Sequence, residues 1–138
     1  MDADLTFHRT IARSHLELSA LRHDVRAWLE RIGDAAHPSP IDIDVVVTEL
    51  VANAIDHTSS SSVDLTLAVA AGRVRVQVAN DVGDDEPVLA SEWREAGERG
   101  RGLRLVAALS SDLQLGVVDD RSVVVAELLA DRQTVGEA

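Results

Sequence analysis

Three polar residues recur at intervals of four in the apolar segment "TELVANAIDH", Thr48 to His57. They are Glu49, Asn53 and His57, and Asp56 borders them. A step of four residues turns a helix by about 40°, so these side chains would form one slowly drifting stripe. A carboxylate and an amide on an otherwise apolar helix are costly unless they are paired or face a polar cavity. The spacing therefore favours the wall of a pocket, with the solvent-facing side of an ordinary amphipathic helix as the alternative.

A second polar cluster, "NDVGDDEP", begins at Asn80, where a strand is predicted to end. Carboxylates and a glycine at such a place are also typical of a simple turn. In a binding site, Asn80 or Asp81 would accept a hydrogen bond from the edge of a ligand, and Gly83 would let the backbone approach closely.

A third cluster is "ERGRGLRLV", in which Gly100 and Gly102 flank Arg101 immediately before a predicted helix. Free N–H groups at a helix N-terminus suit an anion, and Arg99 and Arg104 add further cationic donors. A glycine turn that leads into an amphipathic helix has the same local pattern. The order and spacing of the three clusters together, more than any one of them, indicate a site.

Two helices are predicted in the first half of the chain, after a strand over residues 4–12. The first helix is predicted to begin at an N-cap Ser19 and to end at Gly33. The second is predicted to begin at a cap on Asp42 or Asp44 and to continue to the end of "TELVANAIDH", where a serine run follows. The apolar stripe of the first helix consists of Leu21, Val25, Trp28, Leu29 and Ile32.

The second half of the chain predicts two β-hairpins separated by a loop and a helix. "VDLTLAVA" with "RVRVQVAN", and "LQLGVV" with "SVVVAELL", alternate at period two. Residues 81–100 predict a long functional loop, with a short helical turn around "ASEWREAG", and "RGLRLVAALSS" predicts a helix. This order predicts an α+β fold, a two-layer sandwich of a mixed, mostly antiparallel sheet with helices on one face. In the strand at 73–78, the valines should face the helices and Arg73, Arg75 and Gln77 the solvent.

Composition limits the class of protein. The 138 residues predict one domain over 1–130 and a frayed tail over 131–138. The chain contains no cysteine, which excludes disulfides and thiolate chemistry, and its 13 basic residues are all arginine, which excludes chemistry that needs a lysine. The net charge of -11 disfavours direct nucleic-acid binding. The sequence has no apolar run long enough for a membrane span and no signal segment, so we expect a cytoplasmic protein.

The sequence also disfavours enzymes that depend on a histidine. The five histidines are scattered without metal-ligand spacing, and no GxSxG motif occurs. A hydrolase or a metal enzyme built on Ser, His and Asp is therefore the weakest hypothesis.

The ExxxNxxxH series, the Asp/Gly turn after a strand, "GRGLRLV" and the final "SVVVAEL" strand together resemble the GHKL ATPase superfamily. Within it, the chain is similar to the small bacterial anti-sigma factor serine/threonine kinases, from about Leu5 to Leu129. The resemblance implies the Bergerat, or histidine-kinase-like, ATPase fold, with ATP and Mg²⁺ as cofactors.

The resemblance also implies a role for each matching residue. Glu49 would be the general base and Asn53 the Mg²⁺ ligand, with His57 as a neighbour in the nucleotide site. Asn80 or Asp81 would recognise adenine beside Gly83, and the sequence leaves these two open, because strand counting selects Asn80 and Asp-x-Gly spacing selects Asp81. The glycine expected two residues after Gly83 is replaced by Asp85. Residues assigned to the triphosphate and to the last strand near adenine are Arg99, Gly100, Arg101, Gly102, Leu103 and Ser122.

The function implied by the resemblance is that of a kinase that transfers the γ-phosphoryl group of ATP to a serine or threonine of an anti-sigma factor antagonist. Such a kinase would control a sigma factor, act as a homodimer, and need neither a membrane nor direct contact with nucleic acid. The alternatives are a non-catalytic binding protein with a degenerate nucleotide site that sequesters a sigma factor or another regulator, and the detached catalytic domain of a sensor kinase, whose substrate would be a histidine.

Overall fold

The protein folds into an antiparallel sheet with helices on one face. The computed structural model describes residues 5–32, 39–57, 61–70, 72–81 and 100–129, with backbone only for residue 57 and for residues 100–103. In these ranges the elements, in chain order, are β1 Thr6–Ala12, α1 His15–Ile32, α2 Pro40–His57, β2 Ser62–Ala70, β3 Arg73–Asp81, α3 Gly100–Leu109, β4 Asp112–Val118 and β5 Arg121–Leu129. The tail 131–138 and the segment around "ASEWREAG" lie outside the described residues.

The described strands form one five-stranded sheet in the order β1-β2-β3-β5-β4. Every neighbouring pair is antiparallel. Two β-hairpins, β2–β3 and β4–β5, account for two of the four pairings, and β1–β2 and β3–β5 are the other two. This sheet with its helices confirms the predicted α+β class and the predicted hairpins.

The helices lie on the sheet face that carries the buried valines of β3. Val74, Val76 and Val78 are buried, whereas Arg73 and Arg75 are exposed. Helix α2 packs against β2, β3 and β5, α1 packs against β1 and α2, and α3 packs against α2, β4 and β5. A single apolar core therefore fills the space between the layers. No helix in the described ranges has the length and hydropathy needed to cross a membrane.

Helix α1 begins earlier than predicted, and the expectation of a cap at Ser19 was wrong. The amide of Leu16 donates to the hydroxyl of Ser14 at 3.1 Å, so Ser14 caps the helix and Ser19 lies inside it. Leu16 is 82% exposed, and an exposed leucine in the first turn does not continue the apolar stripe on which the prediction depended.

Helix α2 shows the same correction, because neither Asp42 nor Asp44 caps it. The amide of Ile41 donates to the hydroxyl of Ser39 at 3.2 Å, and Pro40 takes the first helical position, where its missing N–H costs nothing. Asp42 falls in the first turn, where its charge is favourable. Asp44 instead accepts two hydrogen bonds from Arg22 of α1, at 3.0 and 2.9 Å, which join the two helices. These hydrogen bonds lower the pKa of Asp44.

Two tight turns close the hairpins with left-handed backbone. Gly72, with φ of 78°, precedes β3, and a glycine adopts this conformation without steric cost. Between β4 and β5, Asp119 and Asp120 have φ of 52° and 62°. Two successive residues of positive φ between paired Val118 and Arg121 define a type I′ turn, the form that matches the twist of the flanking strands.

Candidate functional site

Two residues assigned to adenine by the resemblance face each other across the sheet. Asn80 of β3 is the direct partner of Ser122 of β5, and directly opposite side chains lie on the same face. They have the same parity as the buried Val78 and Val124, so both belong to the helix-facing side. Asn80 is 4% exposed and is the one buried polar residue in the described ranges. A buried amide at the end of a strand marks this sheet end as a place where polar groups are needed.

Asp81 lies on the other face of the sheet. Its side chain is 74% exposed, and its carboxylate forms an ion pair with Nε of Arg121 at 3.3 Å. The Nδ2 group of Asn80 donates to the carbonyl oxygen of Asp81 at 3.3 Å, which connects the two residues through the backbone. Of the two candidates for adenine recognition, only Asn80 therefore shares the helix-facing side with Ser122.

An arginine that no sequence motif indicates joins three strands on the opposite face of this sheet end. Arg121 of β5 reaches across Ala79 of β3 and donates to Asp64 of β2, which also accepts a hydrogen bond from Thr10 of β1. Burial opposes ionisation of Asp64, but the hydrogen bonds from Thr10 and Arg121 outweigh it and lower its pKa. The hydrogen bond to Asp64 raises the pKa of Arg121. Period-two parity places Arg121 and Asp64 on one face, but nothing local in the sequence pairs them.

The C-terminal end of α2 lies over the same end of the sheet. Asp56, in the last turn of α2, contacts His15 with 3.0 Å between Oδ1 and Nε2. His15 follows the end of β1, where the amide of Arg13 donates to the carbonyl of Ser61 at 3.1 Å. The start of β2 is thereby fixed next to the end of β1, and it also runs beside the end of β3. The last turns of α2 and the residue Asn80 therefore belong to one end of the molecule.

The polar stripe predicted on α2 is partly buried in the structure. Glu49 and Asn53 have intermediate exposure, while their neighbours Leu50, Val51 and Ala54 are buried. The two polar residues are one helical turn apart, a spacing at which side chains are neighbours on the helix surface. The backbone of His57 ends the helix, as predicted. The helix thus carries a carboxylate and an amide at the border between the core and a polar region.

Helix α3 starts at the second glycine pair. Gly100 is its first residue, and Arg101, Gly102 and Leu103 complete its first turn. The helix ends at Leu109, and the amide of Ser111 then donates to the carbonyl of Glu127 at 2.7 Å, near the far end of β5. Ten helical residues span about 15 Å, so the N-terminus of α3 lies about 15 Å from the end of the sheet at which the helix finishes. Gly83 and Arg99 lie outside the described residues.

The donors on α2 suit Mg²⁺ by their chemistry. Asn53 offers an amide oxygen and Glu49 a carboxylate, and hard oxygen ligands are those that Mg²⁺ prefers. The described residues contain no group of three or more His, Cys, Asp or Glu that could hold a metal ion by themselves. In nucleotide sites, Mg²⁺ usually takes several of its ligands from phosphate oxygens and water.

The sequence model of one protein family, the histidine kinase-like ATPase domain, matches residues 12–127 of this chain. The chain belongs to this family. Membership implies an ATP-binding domain, commonly with Mg²⁺, and agrees with the resemblance to the GHKL superfamily. The matched range includes Glu49, Asn53 and Asn80, together with Ser122.

Solved structures confirm the fold. The crystal structure of the RsbU and RsbW domains of Rv1364c from Mycobacterium tuberculosis is similar with a TM-score of 0.64 and 20% identity, over 90% of this chain and 32% of that one. The histidine kinase domain of a blue-light-activated kinase from Erythrobacter litoralis gives a TM-score of 0.55 and 23% identity, over 80% of this chain and 64% of that one. The Acinetobacter baumannii histidine kinase AdeS gives a TM-score of 0.53 and 13% identity, over 91% of this chain and 68% of that one. This chain thus spans about a third of the first structure and about two thirds of the others.

Proposed function

We propose that this protein is an ATP-dependent serine/threonine kinase that phosphorylates an anti-sigma factor antagonist and thereby controls a sigma factor. The observation that carries the proposal is the burial of Asn80 on the helix-facing side, opposite Ser122 and at the sheet end covered by the last turns of α2. Family membership supports ATP as the ligand of this sheet end. The similarity in fold to a structure that contains an RsbW domain supports a regulatory kinase.

In this proposal the adenine ring lies between the sheet end and α2. The side chain of Asn80 hydrogen-bonds the adenine edge, with Ser122 beside it on the neighbouring strand. The triphosphate extends to the N-terminus of α3, where the free N–H groups and Arg101 bind its oxygens. When bound, Mg²⁺ neutralises charge on the phosphates, and Asn53 is the residue that would hold it. Asp81, on the opposite face, does not contact the nucleotide.

The chemical step assigned to this chain is proton acceptance by Glu49. The hydroxyl oxygen of the substrate serine or threonine attacks the γ-phosphorus, the bond from that phosphorus to the β–γ bridging oxygen breaks, and ADP leaves. The hydroxyl proton passes to the Glu49 carboxylate. Glu49 and Asn53 are one turn apart on a helix anchored in the core, so the base and the metal ligand keep a fixed spacing.

Nucleotide titration by calorimetry tests the binding half of the proposal. We expect Mg-ATP to bind with a Kd below about 1 mM, and Asn80→Ala to weaken binding about tenfold, the effect of one lost hydrogen bond. Gln77→Ala, on the outer face of the same strand, is the matched control. Asp81→Asn should leave the Kd within twofold. A larger effect of Asp81→Asn than of Asn80→Ala would reverse the assignment.

Phosphoryl transfer to candidate antagonist proteins tests the catalytic half. With labelled ATP and Mg²⁺, we expect transfer by the unmodified protein and a loss of at least 100-fold with Glu49→Gln, which should still bind nucleotide. Transfer that survives Glu49→Gln would remove Glu49 from the role of base. Phosphoserine and phosphothreonine survive acid, so acid-labile label on the acceptor would instead indicate a histidine substrate.

The main alternative is a binding protein of the same fold that does not transfer phosphate. The replacement of a glycine by Asp85 in the first glycine motif is the feature that favours it. Calorimetry that detects no heat with Mg-ATP, combined with stable binding to a sigma factor, would establish this alternative.

We also propose that the protein is a homodimer, as the resemblance implies. Light scattering at several protein concentrations measures the oligomeric state.

A further inference from the structure

One edge strand of the described sheet, β4, exposes apolar side chains. No described strand pairs with its outer side. Val117 is 46% exposed and Val118 is 59% exposed, and after Asp112 the strand contains no charged residue and no proline. Proteins usually protect such edges with charges, prolines or covering segments, because unpaired N–H and C=O groups can pair with another chain.

The opposite edge, β1, differs in this respect. Its outward positions Thr6, His8 and Thr10 are polar, and the guanidinium of Arg9 lies over the ring of Phe7 at 4.6 Å from the centroid. A charged side chain at mid-strand disfavours pairing with another chain. Both edges lack an outer partner among the described strands, but β1 carries a charge at mid-strand and β4 does not.

The helix-facing side of β4 continues the apolar character of this edge. Leu113 and Leu115 are partly buried and pack against the core, and Val117 follows them on the same side. Helix α3, which packs against β4, exposes Leu105 at 45%. An added strand with apolar side chains at alternate positions would therefore meet apolar side chains along its helix-facing side.

Both ends of β4 are acidic. Asp112 begins the strand and Asp119 and Asp120 follow it, all three are exposed, and none forms an ion pair within the described ranges. The carboxylate of Asp112 accepts a hydrogen bond from Gln114, at 2.9 Å. A strand that is apolar in the middle and acidic at both ends is complementary to a segment that is apolar in the middle and basic at both ends.

The same charges disfavour a second copy of this chain at the edge. In an antiparallel pairing of two β4 strands centred on Leu115 or Gly116, Asp112 of one copy lies beside positions 118–120 of the other. Like charges in such proximity oppose pairing. Segments 82–99 and 131–138 of the chain are also unsuitable, since the first has six carboxylates against two arginines and the second has only one valine among polar residues and a terminal alanine.

We propose that β4 is a docking edge for an extended segment of a partner protein, about seven residues long, with alternating apolar side chains and Lys or Arg at both ends. The segment adds as a sixth strand, places its apolar side chains beside Leu115 and Val117, and pairs its basic ends with Asp112 and with Asp119 and Asp120. The edge borders the proposed nucleotide site, because Val117 pairs with Ser122, but the docking proposal does not depend on kinase activity.

Two labelled peptides test this edge. One alternates threonine and valine over six residues between pairs of lysines, and the other replaces the lysines by glutamates. In ¹H–¹⁵N spectra of the unmodified protein, we expect the lysine peptide to shift the amides of β4, with at least tenfold tighter binding than the glutamate peptide at low salt. Absence of binding at 1 mM peptide, equal binding of both peptides, or shifts at β1 in place of β4 would each overturn the proposal.

A variant pair adds a second measurement by peptide fluorescence anisotropy. Val117→Lys puts a charge on the edge and should weaken binding of the lysine peptide at least tenfold, whereas Leu16→Lys, at a more exposed leucine in α1, should leave it within twofold. Circular dichroism checks that both variants are folded. An equal loss of peptide binding in both variants, or no loss in Val117→Lys, would contradict the proposal. Shifts of the β4 amides that depend on protein concentration in the absence of peptide would also contradict it, because they would identify a second copy of the chain as the occupant.

Discussion

Removal of Arg121 should destabilise the fold measurably, because this side chain joins strands that are distant in sequence. The side chain of Asp64 is 22% exposed, and it accepts hydrogen bonds from Arg121 and Thr10. A hydrogen bond to a charged group contributes about 1.5–3 kcal/mol. Arg121 is 39% exposed, so solvent screening reduces this value, and we expect Arg121→Met to cost about 1–2 kcal/mol. The ion pair with the exposed Asp81 adds little.

Urea unfolding followed by circular dichroism measures this cost for Arg121→Met, Asp64→Asn and the double variant. Since the two residues share one interaction, the double variant should lose about 1 kcal/mol less than the sum of the single losses. Arg73→Met, at a more exposed arginine on the same face and 3.7 Å from Glu127, should cost less than about 0.5 kcal/mol. Additive losses, or equal losses at Arg121 and Arg73, would refute the assigned role.

The pH dependence gives an independent measurement of the same interaction. The pKa of Asp64 is lowered in the folded state, so its ionisation stabilises the fold above the unfolded pKa of about 3.9. This stabilisation is lost as the pH falls through the lower pKa of the folded state. The difference in unfolding free energy between the unmodified protein and Asp64→Asn should therefore be constant from pH 7 to about 5 and shrink below about pH 4. A constant difference down to pH 2 would contradict this account.

Two further changes test the packing and the turns. Leu50 lies beside Glu49 and is 2% exposed, so Leu50→Ala should lower the unfolding free energy by about 2–5 kcal/mol. Ile41 is on the same helix but 74% exposed, so Ile41→Ala should change it by less than about 0.5 kcal/mol. Similar effects of the two substitutions would show that α2 does not bury the assigned face. Asp120→Gly should raise the unfolding free energy by about 0.5–1 kcal/mol and therefore the thermal midpoint, because glycine adopts φ of 62° without steric cost. A lowered midpoint would contradict the turn type.

The sequence predicted the elements of the fold because the signals for them are local. Alternation at period two identified β2, β3 and β5, and Gly72 before β3 and Gly100 at the start of α3 agreed with the predicted turns. The starts of α1 and α2 were predicted wrongly because exposed apolar residues, Leu16 and Ile41, occupy their first turns and interrupt the stripe. In both cases the serine immediately before the first turn was the correct signal.

The site could be predicted only in part for a related reason. Spacing of four located Glu49 and Asn53 on one side of α2, but motif spacing could not decide between Asn80 and Asp81. The pairing of β3 with β5 decides which of them shares a face with Ser122. The contact of Arg121 with Asp64 joins residues 57 positions apart, and such pairings depend on the order of strands in the sheet.

Asn80 and Asp81 are adjacent on opposite faces of β3, so the register of this strand determines whether an amide or a carboxylate lies beside Ser122. Because side chains alternate with a period of two, deletion of a single residue at the start of β3 would shift the strand by one position against β5 and place the carboxylate of Asp81 opposite Ser122. The loss would not be confined to the site, since the buried valines of β3 would turn outward with it. If Asn80 meets the ligand, as proposed, a substitution at position 80 changes that group and leaves the buried valines in place, whereas a length change in β3 moves them.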